Sequence, residues 1–363
     1  MKVKNFEVIE DLTTTQYLLI KSCLATNKQE REAYVREWEE QVLINDIDFS
    51  SSRLLPFFYH GNQQKEISTK HDNRIKIIYK HWWLRSQHIN HQLKIVIAAL
   101  AESEIKVIII KGASIKLHYE RPELRPMADF DLMIPSNDLH KAMNVIEKLN
   151  FIPETLAKNN INKIKELYLD FNHALSYTHP QNEVNIDLHW RLGSHCSLSI
   201  THDLWQHLET YASISYAQKP QLAYEVFLII IHAVVAKNKD NLTWIIDIAV
   251  INETTKTSFW KEAREIAVLE KKEDQFDYGC SILIKLGVFA PTPQEFKIPM
   301  AKISTRLNNR SAMNYFQLSH ARFINMKYMV NRLYPHDTVI QKLYHMSKYF
   351  RYLLSNKRFR QSR

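Results

Sequence analysis

The spacing of apolar residues predicts that the first third of the chain is helical. Up to residue 104, apolar residues recur three and four positions apart, a period typical of amphipathic helices. The predicted helices cover 13–24, 29–44 and 72–103. No run of alternating residues interrupts this part of the chain, so we expect an N-terminal helical region over residues 1–95.

The period changes in the middle of the chain, where short β-branched and alternating stretches predict strands. These strands cover 106–110, 127–134, 174–178 and 184–190, with helical spacing at 136–150. Strands mixed with a helix indicate a compact core over residues 96–215 with a small mixed sheet. The predicted class is therefore α+β.

Helical spacing returns at about residue 219 and continues, with a break at Pro291, Pro293 and Pro299, towards the C-terminus. The predicted helices cover 223–236, 242–251, 260–269, 276–286 and 312–332. We therefore expect a C-terminal helical domain over residues 216–363 that ends in a basic tail.

Composition excludes several classes of protein. The five glycines cannot form the multi-glycine phosphate loops of dinucleotide-binding or Walker-type proteins. The three cysteines do not form the close pairs of a zinc site or disulfide framework, so we expect free thiols. The apolar stretches are shorter than the roughly 20 residues of a membrane span, and the acidic start is unlike a secretory signal. We therefore expect no membrane span and a cytoplasmic location.

The positive charge is concentrated at the C-terminal end. The formal net charge is +9, yet residues 296–363 alone contain 14 Lys and Arg against one acid, Asp337. A segment of this kind binds nucleic acid or an anionic membrane surface, or forms a solvated helical face. The sequence leaves these interpretations open.

A predicted strand, a glycine turn and a predicted helix follow one another at residues 106–119. The turn is Lys111-Gly112, and the helix over 113–119 begins directly after it. Free N–H groups at a helix start attract phosphate. We expect Gly112 to let a triphosphate approach the backbone, and Ser114 to add a hydroxyl donor.

Three aspartates are candidates for metal binding and catalysis. Period 2 along the strand at 127–134 places Asp129 and Asp131 together on its polar face, and the strand at 184–190 carries Asp187 on its own polar face. Neighbouring carboxylates repel each other unless they are exposed or bind a cation. Carboxylate oxygens suit Mg²⁺, which also takes oxygens from substrate phosphates. The three residues therefore predict a magnesium site.

Four further residues are candidates for nucleotide binding. Lys111 either neutralises a triphosphate or is a solvated lysine at a strand end. Arg125 either orients a phosphate or forms an ion pair with one of the nearby aspartates. His189 either touches the nucleotide or acceptor or is a structural histidine. Lys237 either binds the nucleotide or complements the dipole at a helix end.

These residues carry a resemblance to a known family. The segments KGASIKLHY, RPMADFDLMIP and EVNIDLHWRL resemble the bacterial family of uncharacterised nucleotidyltransferases. The similarity continues through LLPFFYH, HAVVAKN, TWIIDIAVI and the NRLYP segment, and so covers nearly the whole chain. The chain is also similar, more distantly, to abortive-infection type nucleotidyltransferase toxins, some of which modify tRNA. One departure is Gly112-Ala113, where the wider superfamily usually has Gly-Ser.

The resemblance implies a polymerase β-like nucleotidyltransferase fold in which Asp129, Asp131 and Asp187 bind Mg²⁺ or Mn²⁺. The implied reaction moves a nucleoside monophosphate from a nucleoside triphosphate to a hydroxyl acceptor and releases pyrophosphate. The acceptor is left open among small molecules, saccharides, proteins and tRNA. Two alternatives also remain: a toxin-like enzyme whose basic tail holds tRNA, and a non-catalytic nucleotide sensor or scaffold.

Overall fold

A computed structural model provides the coordinates of the protein. It describes residues 12–154, 169, 172–193, 196–212, 214–235, 241–255, 259–291 and 338–349. These residues combine α-helices with one seven-stranded sheet, and the strands are paired both parallel and antiparallel. The predicted α+β class with a mixed sheet is therefore confirmed.

The chain separates into two compact units. The helical unit consists of residues 1–93, 110–128 and 222–300, and the sheet unit consists of 94–109, 129–221 and 301–363. Because the chain passes between them several times, neither unit is a continuous segment. The three-part division at residues 95 and 215 remains a prediction.

The helical unit begins with four helices, of which the first, second and fourth match the predicted ones, whereas the third was not predicted. They are α1 (Thr14–Leu24), α2 (Lys28–Gln41), α3 (Phe49–Gln64) and α4 (Asp72–Glu102), whose last residues belong to the sheet unit. Side-chain oxygens of Thr13, Asn27 and Asp48 cap the first three helices by accepting backbone N–H groups. Leu18, Leu19 and Leu55 are fully buried in the core of this unit.

The helical unit continues with one short helix and four longer ones. They are α5 (Gly112–Ile115), α8 (Leu222–Val235), α9 (Thr243–Thr254), α10 (Phe259–Leu269) and α11 (Glu273–Leu286). The expected helix over 113–119 is wrong in its extent. It is one α-turn followed by a 3₁₀ turn over Lys116–His118, and it ends because Tyr119 adopts an extended conformation where its hydroxyl reaches Asp247.

Among the described residues, the sheet unit includes seven strands and, between them, two helices. In chain order these are β1 (Val107–Ile110), β2 (Asp129–Met133), α6 (Leu139–Lys148), β3 (Ile152–Pro153), β4 (Ala174–Thr178), β5 (Asn185–His189), α7 (Leu198–Leu204), β6 (Leu208–Thr210) and β7 (Ala217–Pro220). The strand order is β3-β4-β5-β2-β1-β7-β6, with β2 parallel to β5 and β1 parallel to β7. The short strands β3, β6 and β7 were not predicted, because two to four residues are too few to show alternation.

Two further expectations concern the thiols and the membrane. No disulfide joins the three cysteines, as predicted, and the structure shows all three to be buried. Among the described residues, no helix combines the length and apolar character that a membrane-spanning helix needs. The predicted helix over 312–332 lies outside the described residues.

Candidate active site

Two parallel neighbouring strands carry the three predicted aspartates. The register of β2 and β5 places Asp131 beside Asp187 and Asp129 beside Asn185. Side chains at matched positions of neighbouring strands project from the same face of a sheet. Asp129 is exposed at the start of β2, whereas Asp131 is only 5% exposed and Asp187 is half-buried. The polar face predicted from alternation therefore exists in the sheet unit.

Within the described residues, the structure brings Asp131, Asp187 and His189 into one group. Each offers one ligand atom, and these atoms all lie within 4.8 Å of one another. Asp129 is not a member of this group, although it was predicted as a third ligand. The sequence assigned His189 to the nucleotide and not to the metal. Its position beside Met133, two residues beyond Asp131 on β2, is the register signal that links it to the carboxylates.

Hydrogen bonds fix the side chains of this group. The hydroxyl of Ser176, on β4, donates to Oδ1 of Asp187 over 2.6 Å. Nε2 of His189 lies 3.0 Å from Oδ1 of Asp131, and the imidazole is fully buried. The ring of His173 lies 5.4 Å from that of His189. Rotamers held in this way keep ligand atoms in place before a substrate arrives.

The donor atoms of the group fit a divalent cation. Two carboxylates on adjacent strands place negative charge side by side, which a bound cation relieves. Carboxylate oxygens suit Mg²⁺ and Mn²⁺, and an imidazole nitrogen is a more usual ligand of Mn²⁺ than of Mg²⁺. Among the described residues, Asp131, Asp187 and His189 therefore form a group that could hold such an ion.

In the helical unit, Lys111 has a strained backbone conformation. Its φ is 53° and its ψ is −131°, which a residue with a side chain rarely adopts. Its carbonyl accepts the N–H groups of Ser114 and Ile115, which fixes the turn between β1 and α5. Such strain costs on the order of 1–3 kcal/mol and is found most often at functional sites.

Gly112 is required because Arg125 lies against it. A Cβ built on Gly112 would collide with the guanidinium of Arg125. The guanidinium cannot move aside easily, since its Nε donates to Oδ1 of Asp247 over 3.0 Å and a terminal nitrogen donates to Oδ2 over 2.9 Å. Arg125 is 7% exposed and Asp247 is 1% exposed. The structure thus pairs Arg125 with Asp247, a partner that the sequence did not indicate.

Tyr119 also binds Asp247. Its hydroxyl donates to Oδ1 of Asp247 over 2.6 Å. Burial first, and then the Asp247 carboxylate, raise the pKa of the Tyr119 hydroxyl well above its ordinary value. The hydroxyl therefore stays protonated and remains a donor, so Asp247 is held by three donated hydrogen bonds.

Ser114 is fully buried, and its hydroxyl donates to Oε1 of Glu225 on α8. The other oxygen of Glu225 lies 2.9 Å from Nε2 of His118. The phosphate contact expected for Ser114 is therefore replaced by a structural one in this structure. Lys237, the last predicted nucleotide-binding residue, lies outside the described residues.

Three residues of these networks were not predicted from the sequence as part of a site: Ser176, Glu225 and Asp247. Glu225 and Asp247 occur in apolar helical stretches, where a lone acid is the visible signal of a buried partner. Ser176 gives no such signal, because serine is common on strands of mixed exposure.

Comparisons with known proteins give the family. No curated protein matches the chain. Among solved structures, the solution structure of the antibiotic-resistance factor ANT(2'')-Ia is similar to it at 12% sequence identity, with a TM-score of 0.30, over 66% of this chain and 98% of that one. A similarity at this TM-score supports no argument about the chain.

The model of one family matches residues 49–283, more than half of the chain, and its description is uncharacterised nucleotidyltransferase. The predicted resemblance is thus confirmed, and the chain belongs to this nucleotidyltransferase family.

Proposed function

We propose that the protein is a metal-dependent enzyme that transfers a nucleoside monophosphate from a nucleoside triphosphate to a hydroxyl acceptor, with release of pyrophosphate. The observation that carries the proposal is the convergence of Asp131, Asp187 and His189 on neighbouring strands. Membership of a nucleotidyltransferase family supports the same reaction class.

The two carboxylates and the imidazole would hold Mg²⁺ or Mn²⁺. A bound ion would supply the positive charge that stabilises the oxygens of the reacting phosphate. Ser176 keeps Oδ1 of Asp187 occupied by a hydrogen bond, which leaves Oδ2 for other partners. Nε2 of His189 would either donate to Asp131 and so orient the buried carboxylate, or ligate the ion beside that carboxylate.

The reaction balances without a further reactant. The acceptor hydroxyl forms a bond to the α-phosphorus, the bond between that phosphorus and its bridging oxygen breaks, and pyrophosphate leaves. The hydroxyl proton passes to a carboxylate, for which we propose Asp187. Asp129 is exposed at the start of β2, and we propose that its carboxylate is a further ligand for an ion that arrives with the substrate.

The role of the helical unit rests on its strained turn. We propose that Lys111 binds the triphosphate, because a cationic side chain on a strained residue between a strand and a helix suits a functional position. Gly112 and Arg125 have a positioning role here, since the pair formed by Arg125 and Asp247 fixes the packing against that turn. The residue that we expect at the phosphate is therefore Lys111 and not Ser114.

An activity screen tests the proposal. The purified full chain is incubated with each of the four α-³²P-labelled nucleoside triphosphates, with Mg²⁺ or Mn²⁺, and with fractionated bacterial extract. We expect label in one fraction, accompanied by pyrophosphate release. The labelled fraction then identifies the acceptor class among small molecules, saccharides, proteins and RNA.

Two variants make the screen specific. Asp187→Asn removes a proposed ligand, and we expect it to lose both label and pyrophosphate. Asp203→Asn is the matched control in the same unit, since it makes the same change at a residue that is half-buried like Asp187 but is not a member of the metal-binding group. Transfer that persists in Asp187→Asn would exclude the proposed chemistry. Tight nucleotide binding without pyrophosphate release would instead support a sensor or scaffold.

A further inference from the structure

Helix α4 presents a basic surface in the helical unit. Its residues 72–93 contain four Lys and Arg and a single acid, Asp72. The Asp72 carboxylate is occupied at the start of the helix, where Oδ1 accepts the backbone N–H and the hydroxyl of Thr69. It therefore does not neutralise the cations further along the helix.

The cations of this surface are open to solvent. Arg74, Lys76 and Lys80 are exposed, and no carboxylate of the described residues forms an ion pair with them. Arg85 is half-buried and uses one terminal nitrogen to donate to the carbonyl of Ala128 over 3.0 Å. Unneutralised cations on one helix attract a polyanion.

A groove runs along the same helix. Its volume is 600 Å³, and its lining includes Phe49, Arg74, Ile77, His81, Trp82 and Arg85, which together we call the α4 groove. No carboxylate residue lines it. Phe49 is 55% exposed and Ile77 is 57% exposed, so apolar and aromatic surface is available beside Arg74 and Arg85, while the exposed Asp46 and Asp48 alternate with the lining residues of the 44–49 segment.

The aromatic rings of the groove are fixed by one another. Trp82 packs edge-on against Phe49 at 5.8 Å and against His81 at 5.6 Å between ring centroids. The guanidinium of Arg53 lies 5.8 Å from the centre of the Phe49 ring. A rigid, exposed ring loses little entropy when a flat ligand stacks on it, so Phe49 is a ready stacking surface.

Cations flank a short stripe of exposed apolar residues on the solvent side of α4. Arg74, His81 and Arg85 follow one stripe of the helix, since residues seven and eleven apart lie on the same side. At about 100° per residue, Lys80 lies roughly 120° and Lys76 roughly 160° round the helix from Arg74, and the exposed Ile77 and Leu84 share the stripe between Arg74 and Lys80. A membrane surface would require a continuous apolar face, whereas a strand with a phosphate and a base in every unit requires interleaved charges and rings.

We propose that the α4 groove, with Lys80 and Lys76 beyond Ile77 on the exposed side of the helix, binds single-stranded nucleic acid. The phosphates contact Arg74, Lys76, Lys80 and Arg85, and a base stacks on the ring of Phe49. Only a single strand offers an unstacked base to the groove. The surface lies in the helical unit, and the inference holds whether or not the chain transfers a nucleotide.

Fluorescence anisotropy of the full chain tests the proposal. The probes are labelled strands of 20 nucleotides: oligo(U) RNA, oligo(dT) DNA, an abasic DNA strand of the same length and a DNA duplex. Vesicles containing phosphatidylserine are a separate arm. We expect both single strands to bind more tightly than the duplex or the abasic strand. Equal binding of the duplex, or binding of vesicles alone, would overturn the inference.

The first variant removes charge. Arg74→Glu/Lys80→Glu should bind oligo(U) at least about tenfold more weakly, and the slope of log K against log salt should fall by about 1.4 because two phosphate contacts are lost. The matched control is Lys261→Glu/Lys285→Glu, which reverses two exposed lysines elsewhere in the helical unit and should bind within about twofold of the parent.

The second variant removes the stacking ring. Phe49→Ala should bind oligo(dT) about tenfold more weakly but should bind the abasic strand as the parent does. The single variant Lys80→Glu, on an exposed position, serves if the others fail to fold by circular dichroism. Unchanged affinity in the α4 variants would place binding elsewhere, such as the cations of residues 296–363, and would refute the α4 surface.

Discussion

The acidic residues of the two units are used in opposite ways. In the sheet unit, Asp131 and Asp187 lie side by side in matched register and gather negative charge at one point. In the helical unit, Asp247 is surrounded by donors from Arg125 and Tyr119. Paired carboxylates suit a bound cation, while a carboxylate saturated by protein donors suits a structural role. Burial alone does not separate the two, since Asp131 and Asp247 are both buried.

The largest expected effect is on activity, in the sheet unit. Asp131→Asn removes a charge without changing shape, so transfer should fall about ten-thousandfold, or about 5 kcal/mol of transition-state stabilisation. The fold should be retained, because relieving repulsion between neighbouring carboxylates does not destabilise it. Initial rates with labelled nucleotide and Mn²⁺ binding followed by electron paramagnetic resonance measure the two effects. A variant that keeps Mn²⁺ affinity would remove Asp131 from the metal site.

The next effect is on stability, in the helical unit. Asp247→Ala leaves the buried guanidinium of Arg125 without its carboxylate and should lower the free energy of unfolding by about 3 to 4 kcal/mol. The double variant Arg125→Met/Asp247→Leu should recover most of this loss, because it removes both charges. Urea unfolding followed by circular dichroism measures each value.

A surface pair is the natural control for that variant. Arg121 donates to Glu123 over 2.6 Å, but its side chain is 45% exposed. Arg121→Ala should therefore change the free energy of unfolding by less than about 1 kcal/mol. If Arg121→Ala and Asp247→Ala lower the free energy of unfolding equally, the burial of the ion pair between Arg125 and Asp247 does not determine its contribution to stability.

A smaller effect is expected at the glycine of the turn. Gly112→Ala places a methyl group against the anchored guanidinium of Arg125, so the free energy of unfolding should fall by about 1 to 3 kcal/mol. In the background of Arg125→Met/Asp247→Leu the same change should cost less, because the guanidinium is gone. A double-mutant cycle measures this coupling. If the losses in the free energy of unfolding are additive, Arg125 is not what requires a glycine at position 112.

The smallest effect separates strain from function. Lys111→Gly relieves the positive φ and should raise the free energy of unfolding by about 1 kcal/mol. Transfer should nevertheless decline through a higher KM for the nucleotide, since the proposed phosphate ligand is lost. Lys111→Ala keeps the strain and loses the charge, which makes it the matched control. A Lys111→Gly variant that is both more stable and fully active would leave the strain without a functional reason.

The sequence alone was sufficient to predict the two strands that carry Asp129, Asp131 and Asp187. Alternation across 127–134 and 184–190 predicted β2 and β5 to within two residues at either end, because each strand has one apolar and one polar face. It also predicted the class and the family, since the segments around the turn and the aspartates can be compared with those of a family without knowing how they pack. The short strands β6 and β7 had no such signal, as three or four residues do not define a period.

Pairing between distant positions was decided by the tertiary structure alone. The sequence itself determined which residues are acidic, which face of each strand they occupy, and that a lysine and a glycine follow a buried strand. It could not determine that His189 lies beside Asp131, or that Arg125 reaches Asp247, 122 positions further along the chain. The reason is physical: periodicity reports only neighbours within an element, whereas the partner of a buried charge depends on strand register and helix packing, which only the folded chain specifies.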